Sequence, residues 1–223
     1  SGIACVATAA LIDWKFTTTK PWRITADTAV DSLTHAIEAY VSRKASPYTD
    51  AFALAAMPAI TKHVLTACKE PKNAAARQSL MLAASQAGMA FSNASVALVH
   101  GMSRPIGAHF HVAHGLSNAM ILPYVTKFSI DTSEARYAKC ARVMDWADEH
   151  DSNASACEKL VENLQILNSD LKVPSPRSLS LIGDANIFDL MATQAIASGS
   201  PQNNPRIPTQ AEIMQLYHDI WLD

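Results

Sequence analysis

The sequence predicts an all-α fold, with one strand at its start. Three observations predict it. Only 7 of the 223 residues are glycine, while Ala, Leu and Met are plentiful, and that composition favours helices over tight β-turns. Apolar residues recur at helical spacing, as at Val30, Leu33, Ile37 and Val41. A single short, continuous apolar run, residues 3–12, reads as a buried strand, and no other stretch offers it a sheet.

Composition narrows the class further. A chain of this length makes one domain or two small ones. With 49% apolar and 17% charged residues, intrinsic disorder is excluded. A net charge of −2 gives no overall basic field for nucleic acid. Apolar runs such as residues 53–60 fall short of the roughly 20 residues that span a bilayer. The N-terminal segment has no basic n-region, so no signal peptide is expected. The four cysteines, Cys5, Cys68, Cys140 and Cys157, lie far apart without a CxxC, which suits reduced thiols and a cytoplasmic protein.

The elements follow in order. Residues 13–23, rich in Thr with one Pro, read as an extended linker. A helix is expected from residue 25, with Thr25 as its N-cap and Asp27 at the positive end of its dipole. The next, residues 48–69, contains Pro58, which should kink or split it. Residues 74–91 form an Ala- and Met-rich helix, and residues 92–100 continue apolar. The Gly-, Pro- and His-rich stretch HGMSRPIGAHFHVAHG reads as a turn between two helices. Helices are then expected over 116–128, 133–150, 154–167 and 187–197, with a loop at Pro174 and Pro176. After the turn-rich SPQNNPRIP, a final helix over 209–221 is capped by Thr209.

Two groups of residues carry chemistry. Asp31 and His35 lie at i and i+4, on one helix face. Their helix is largely apolar, and a buried Asp and His need satisfied partners, so a shared metal ion competes with an ordinary capping pair. The second group is His100, His109, His111 and His114, half of the eight histidines. A His-rich segment between helices can supply ligands from both flanks, and spacing does not select among the four. His63, His150 and His218 read as solvated positions. Glu38, three residues after His35, is expected to face solvent or to cap a neighbour. There is no GxGxxG, no GxxxxGK[ST] and no GxSxG, so neither a phosphate-cradling loop nor a nucleophile elbow is encoded.

TADTAVDSLTHAIEAYVS followed by LVHGMSRPIGAHFHVAHGLSNAMILP resembles the iron-containing (group III) alcohol dehydrogenases, with the metal motifs DxxxH and H-x13-H. The similarity extends to VATAALIDWKFTTTKPWRITADT, like the family's bridge between domains, and to NNPRIPTQAEIMQLYHDIW, like its C-terminal segment. It implies the all-helical C-terminal domain of the dehydroquinate synthase-like fold. Residues 1–24 would be the remnant strand and linker of an absent α/β nucleotide-binding domain, and residues 25–223 the metal-binding catalytic domain. The family's GGGS and TTAGTGSE motifs do not occur.

Carried over by motif, the resemblance implies Asp31, His35, His100 and His114 as metal ligands, with His109 and His111 as bystanders. It places Phe91 beside the nicotinamide and the substrate. Arg104 stands on the substrate side, where many members carry a second histidine of an HGMxH pattern. Ala113 replaces a common Pro, and Ala29 a common Gly. The implied cofactors are Fe(II), or Zn(II) as in related glycerol dehydrogenases, with NAD or NADP bound mainly by the absent domain. The implied activity is reversible hydride transfer between a primary or secondary alcohol and NAD(P)+, in a homo-oligomer that binds neither nucleic acid nor membrane. The isolated chain would be inactive. The rival expectations are a lyase-type dehydroquinate synthase relative and a non-catalytic metal-binding or assembly module.

Overall fold

A computed structural model of the chain describes residues 8–222, and no strand occurs among them. Nine α-helices follow one another: α1 (Trp22–Val41), α2 (Pro47–Lys69), α3 (Ala74–Ala94), α4 (Leu98–Phe110), α5 (His114–Ser129), α6 (Glu134–Val143), α7 (Asn153–Asp170), α8 (Ala185–Ala197) and α9 (Gln210–Leu222). The all-α class predicted from composition and spacing holds over the described chain.

Local chemistry sets many of the helix starts. Ser46 and Thr49 form a reciprocal capping box at the head of α2, with Pro47 in its first turn. Asn73, Ser152 and Asp184 each accept a backbone N–H at the heads of α3, α7 and α8. Thr209 and Glu212 exchange bonds at the head of α9: Glu212 N donates to Thr209 Oγ1, and Thr209 N to Glu212 Oε2. Such caps contribute about 1 kcal/mol each. The heads of α1, α4 and α5 have no side-chain cap of their own.

Helix α1 occupies the centre. It packs on α2, α3 and α5, which is why its residues are apolar on most sides rather than along one stripe. Leu33, Ile37, Met57, Ile60, Leu98, Met102 and Ile106 are fully buried, each worth roughly 1.5–3 kcal/mol relative to exposure. Around this centre, α4 packs on α5 and α8, α6 on α7, and α8 on α9. Tyr217 of α9 is buried and donates its hydroxyl to Met102 O of α4 at 2.7 Å. Helix α2 is long and apolar enough to cross a membrane; here it buries Ala53, Ala56, Met57, Ile60 and Val64 as a core helix against α1 and α3. Cys68, Cys140 and Cys157 are buried free thiols. Burial pushes the Cys157 thiol up to about 11 and that of Cys140 upward as well, so both stay protonated and inert.

Several expected elements differ. Of the strand expected over 3–12, residues 3–7 lie outside the described residues; residues 8–12 carry no strand, and Leu11 is 98% exposed. The expected linker contains a 3-10 turn at Trp14–Thr17. Helix α1 begins at Trp22 rather than with Thr25 as N-cap. Trp22 and Arg23 both donate to Leu171 O, which fixes the first turn, and Thr25 is buried under Arg77, whose Nη1 donates to its hydroxyl. Pro58 does not split α2. The lost hydrogen bond and the crowding of the ring against the preceding turn together cost about 3 kcal/mol, less than burying Ala56, Met57 and Ile60 on the two sides of it returns. The stretch read as a turn is helical through Phe110, with Pro105 inside. Its Leu98, Val99, Met102 and Ile106 have core to bury against, and only residues 111–113 form the link to α5. The helix expected over 133–150 ends at Val143, and Asp145 turns the chain with φ 58°.

Candidate metal centre

Three helices build the site. Asp31 and His35 project from one face of α1, one turn apart. Their geometry follows from the i, i+4 spacing. His100 comes from the first turn of α4, and His114 is the first residue of α5. The approach of α5 depends on Gly115. A Cβ there would lie 2.3 Å from Asp27 O, so only glycine lets α5 start directly against α1 and bring His114 to Asp31.

The polar atoms converge on Asp31 Oδ1. It lies 3.5 Å from Nε2 of His100, 3.5 Å from Nε2 of His114 and 4.0 Å from Nε2 of His35. The donor atoms of Asp31, His100 and His114 all lie within 4.8 Å of one another. Ligands at about 2.1 Å around a tetrahedral ion sit about 3.4 Å apart, so the 3.5 Å separations suit a small divalent cation. His35 flanks the group, stacked between Phe91 at 4.1 Å and His100 at 4.5 Å. His100 is 3% exposed and His114 is 48% exposed, so the group opens to solvent on the His114 side.

Two further residues complete the centre: sequence reasoning missed Asn118, and for Glu38 it offered capping a neighbour as one of two alternatives without its contact to His100. Asn118, fully buried on α5, places Nδ2 at 2.6 Å from Asp31 Oδ1 and at 3.2 Å from Nε2 of both His100 and His114. An amide nitrogen has two hydrogens, so it cannot serve three acceptors at once. With His100 neutral, lone pairs outnumber donors here, and a cation fits that surplus. The available signal was position: Asn118 lies one turn after His114. Glu38 does not face solvent; it is 2% exposed and caps α4 from another helix. Ala97 N donates to its Oε2 at 2.9 Å and Val99 N to its Oε1 at 2.6 Å. His100 Nδ1 lies 2.6 Å from Oε2. No local pattern could reveal this contact, which spans 62 residues.

The charges are strongly coupled. Burial pushes the His35 imidazole down to about 4, helped by the charge on His100. Burial also opposes protonation of His100, but Glu38 and Asp31 outweigh it and raise the group to about 9. Asp31 is desolvated, yet its bond to His100 and the neighbouring imidazoles hold it below the usual carboxylate range. His114 is lowered chiefly by burial, with His100 and Arg104 adding repulsion. One carboxylate among imidazoles is a donor set for Fe(II), Co(II) or Zn(II).

Of the other expected site residues, Phe91 lies at the centre through its stack on His35. Arg104 is one turn past His100, exposed, with Nη1 donating to Ser200 Oγ at 3.0 Å. His109 pairs instead with Gln194 Oε1 at 2.9 Å, and His111 terminates α4 in the left-handed region, φ 57°. Neither joins the cluster.

Residues 25–221 match the family model of the C-terminal part of the Fe-containing alcohol dehydrogenases. The chain is 35% identical over 215 residues to an NADPH-dependent butanol dehydrogenase of Clostridium saccharobutylicum, covering 95% of this chain and 54% of that protein. It is 32% identical to an NAD-dependent methanol dehydrogenase of Bacillus methanolicus, covering 94% and 55%. Among solved structures, a 1,3-propanediol oxidoreductase superposes with a TM-score of 0.89 at 32% identity, over 93% of this chain and 54% of that one. An iron-containing alcohol dehydrogenase from Thermococcus thioreducens superposes with a TM-score of 0.84 at 31% identity, over 95% and 54%. The chain thus spans about half the length of these relatives.

Proposed function

The chain belongs to the iron-containing alcohol dehydrogenase family, as its C-terminal helical part, and we propose that it forms the metal-binding half of an NAD(P)-dependent alcohol dehydrogenase. The observation that carries the proposal is the 3.5 Å approach of Asp31 Oδ1 to Nε2 of both His100 and His114. Asp31, His35, His100 and His114 are the proposed ligands, of Fe(II) or Zn(II). When bound, the ion supplies Lewis acidity to an alcohol or carbonyl oxygen, and the nicotinamide supplies the hydride chemistry.

The chain's own residues do the rest. Asp31 lowers the charge of the centre and anchors it to α1. His35, clamped between two rings, is held in orientation. Phe91 covers the ligand side and excludes water, where it would also meet the nicotinamide. Arg104, on the open side near His114, would contact the substrate. The relatives are named for both NADPH and NAD dependence, which fits a nucleotide site formed outside these helices, and we assign residues 1–24 to the bridge toward it.

Metal analysis tests this directly. The protein should bind one divalent ion per chain. His100→Ala should lose most of it and His109→Ala little. Equal loss in the two variants would refute the ligand assignment. Alcohol-dependent formation of reduced nicotinamide by the full-length protein, absent from the helical part alone, would support the division of labour; bound metal without turnover in the full-length protein would favour a non-catalytic metal module.

A further inference from the structure

We propose that Glu38 is the positioning residue of the metal centre: its carboxylate fixes the ring of His100 and seats the head of α4 against the helix that carries Asp31 and His35. The proposal rests on the metal-centre reading above.

Glu38 lies on α1, one turn after His35 and two turns after Asp31. Its side chain is 3% exposed, and no cation of Lys or Arg pairs with it among the described residues. Three N–H groups compensate its charge instead: Ala97 N, Val99 N and the Nδ1 of His100. A carboxylate only accepts hydrogen bonds, so Nδ1 carries the proton and donates at 2.6 Å. When the ring carries a single proton, as a metal ligand must, the lone pair is then on Nε2, the atom 3.5 Å from Asp31 Oδ1. The ring is held in the tautomer and rotation that a metal ligand needs.

The same carboxylate provides the cap that α4 lacks. Ala97, at the N-cap position, has no side-chain acceptor, and the negative charge also suits the positive end of that helix. The chain enters α4 through Ser95 at φ 68° and ψ 164°, a conformation that favours glycine and persists only where the surroundings hold it. Ser42 Oγ donates to Ala94 O, and Asn203 Nδ2 to Ser95 Oγ and Val96 O. The bend is therefore braced from three sides, with Glu38 making the one brace that also touches a ligand.

Zinc and cobalt titrations of Glu38→Gln and Asn203→Ala test the assignment. Glutamine keeps the volume but offers one acceptor and presents an amide to backbone N–H groups. Glu38→Gln should weaken Zn(II) binding about 10–100-fold, whereas Asn203→Ala, which loosens the same bend without touching a ligand, should lower the melting temperature and leave affinity within roughly threefold. In the zinc-loaded wild type, nitrogen-15 NMR should show His100 bound through Nε2 with a slowly exchanging Nδ1 proton, a signal lost in Glu38→Gln. Zinc affinity equal in Glu38→Gln and wild type, or falling only as far as in Asn203→Ala, would overturn the positioning role and leave the metal centre standing. If Glu38→Gln does not fold, the wild-type spectrum decides: zinc on His100 Nδ1 overturns the proposal. A wild type that binds no zinc or cobalt overturns the metal centre itself.

Discussion

Glu212 shows how much a single side chain can do outside the site. Its carboxylate accepts from Thr209 N and from Arg206, and the backbone bond, followed by Arg206, holds it below its ordinary value of 4.5. A depressed carboxylate stabilises the fold above its unfolded value, and that contribution is lost as the pH falls through the folded one. Denaturation midpoints should therefore decline from about pH 4.5 downward, and more steeply in wild type than in Glu212→Gln, which removes this titration. Parallel slopes in the two proteins would show that the head of α9 contributes nothing to acid sensitivity. The Thr209 cap was legible in the sequence because a capping box is a local pattern. Glu38 was not: its partners are three residues of a helix far along the chain.

At the scale of elements, the site depends on how closely α5 can lie against α1. Gly115→Ala would put a methyl group 2.3 Å from Asp27 O and 2.7 Å from its carbonyl carbon, and backbone cannot yield as a flexible side chain can. Overpacking of this kind costs about 1–3 kcal/mol. The variant should unfold at lower denaturant concentration and bind metal more weakly than wild type, because the displaced helix begins with His114. Unchanged metal affinity in a destabilised Gly115→Ala would show that His114 is not a ligand. Helix α4 carries the complementary lesson. Gly101, Pro105 and Gly107 read as breakers, but the segment is a helix because Glu38 caps its head and its Leu98, Met102 and Ile106 have core to bury in.

For the whole molecule, metal and fold are linked, because the proposed ligands join α1, α4 and α5 and exist as a set only when those helices are packed. An ion that binds the folded state alone stabilises it by about 2.7 kcal/mol at a hundred times its dissociation constant. In a domain of this size that corresponds to a rise of roughly 5–10 °C in the melting temperature, reversed by a chelator. A melt unaffected by Zn(II), Fe(II) and chelator alike would argue against a centre that bridges the three helices.

Local rules were enough to read the helical class and the pairing of Asp31 with His35, since both depend on a period of 3.6 residues along one segment. The cap at Thr209 was readable because it too is a local pattern, whereas the capping box of Ser46 and Thr49 emerged only from the structure. Residue spacing left four histidines open in the second cluster, and the family resemblance pointed to His100 and His114. The tertiary structure brings those two to Asp31 and leaves His109 on Gln194 and His111 as a helix terminus. It also decided that Glu38 is buried, that Asn118 faces three acceptors, and that the Gly- and Pro-rich stretch is a helix. These outcomes come from packing and hydrogen bonds between segments remote in the chain, where burial outweighs local propensity.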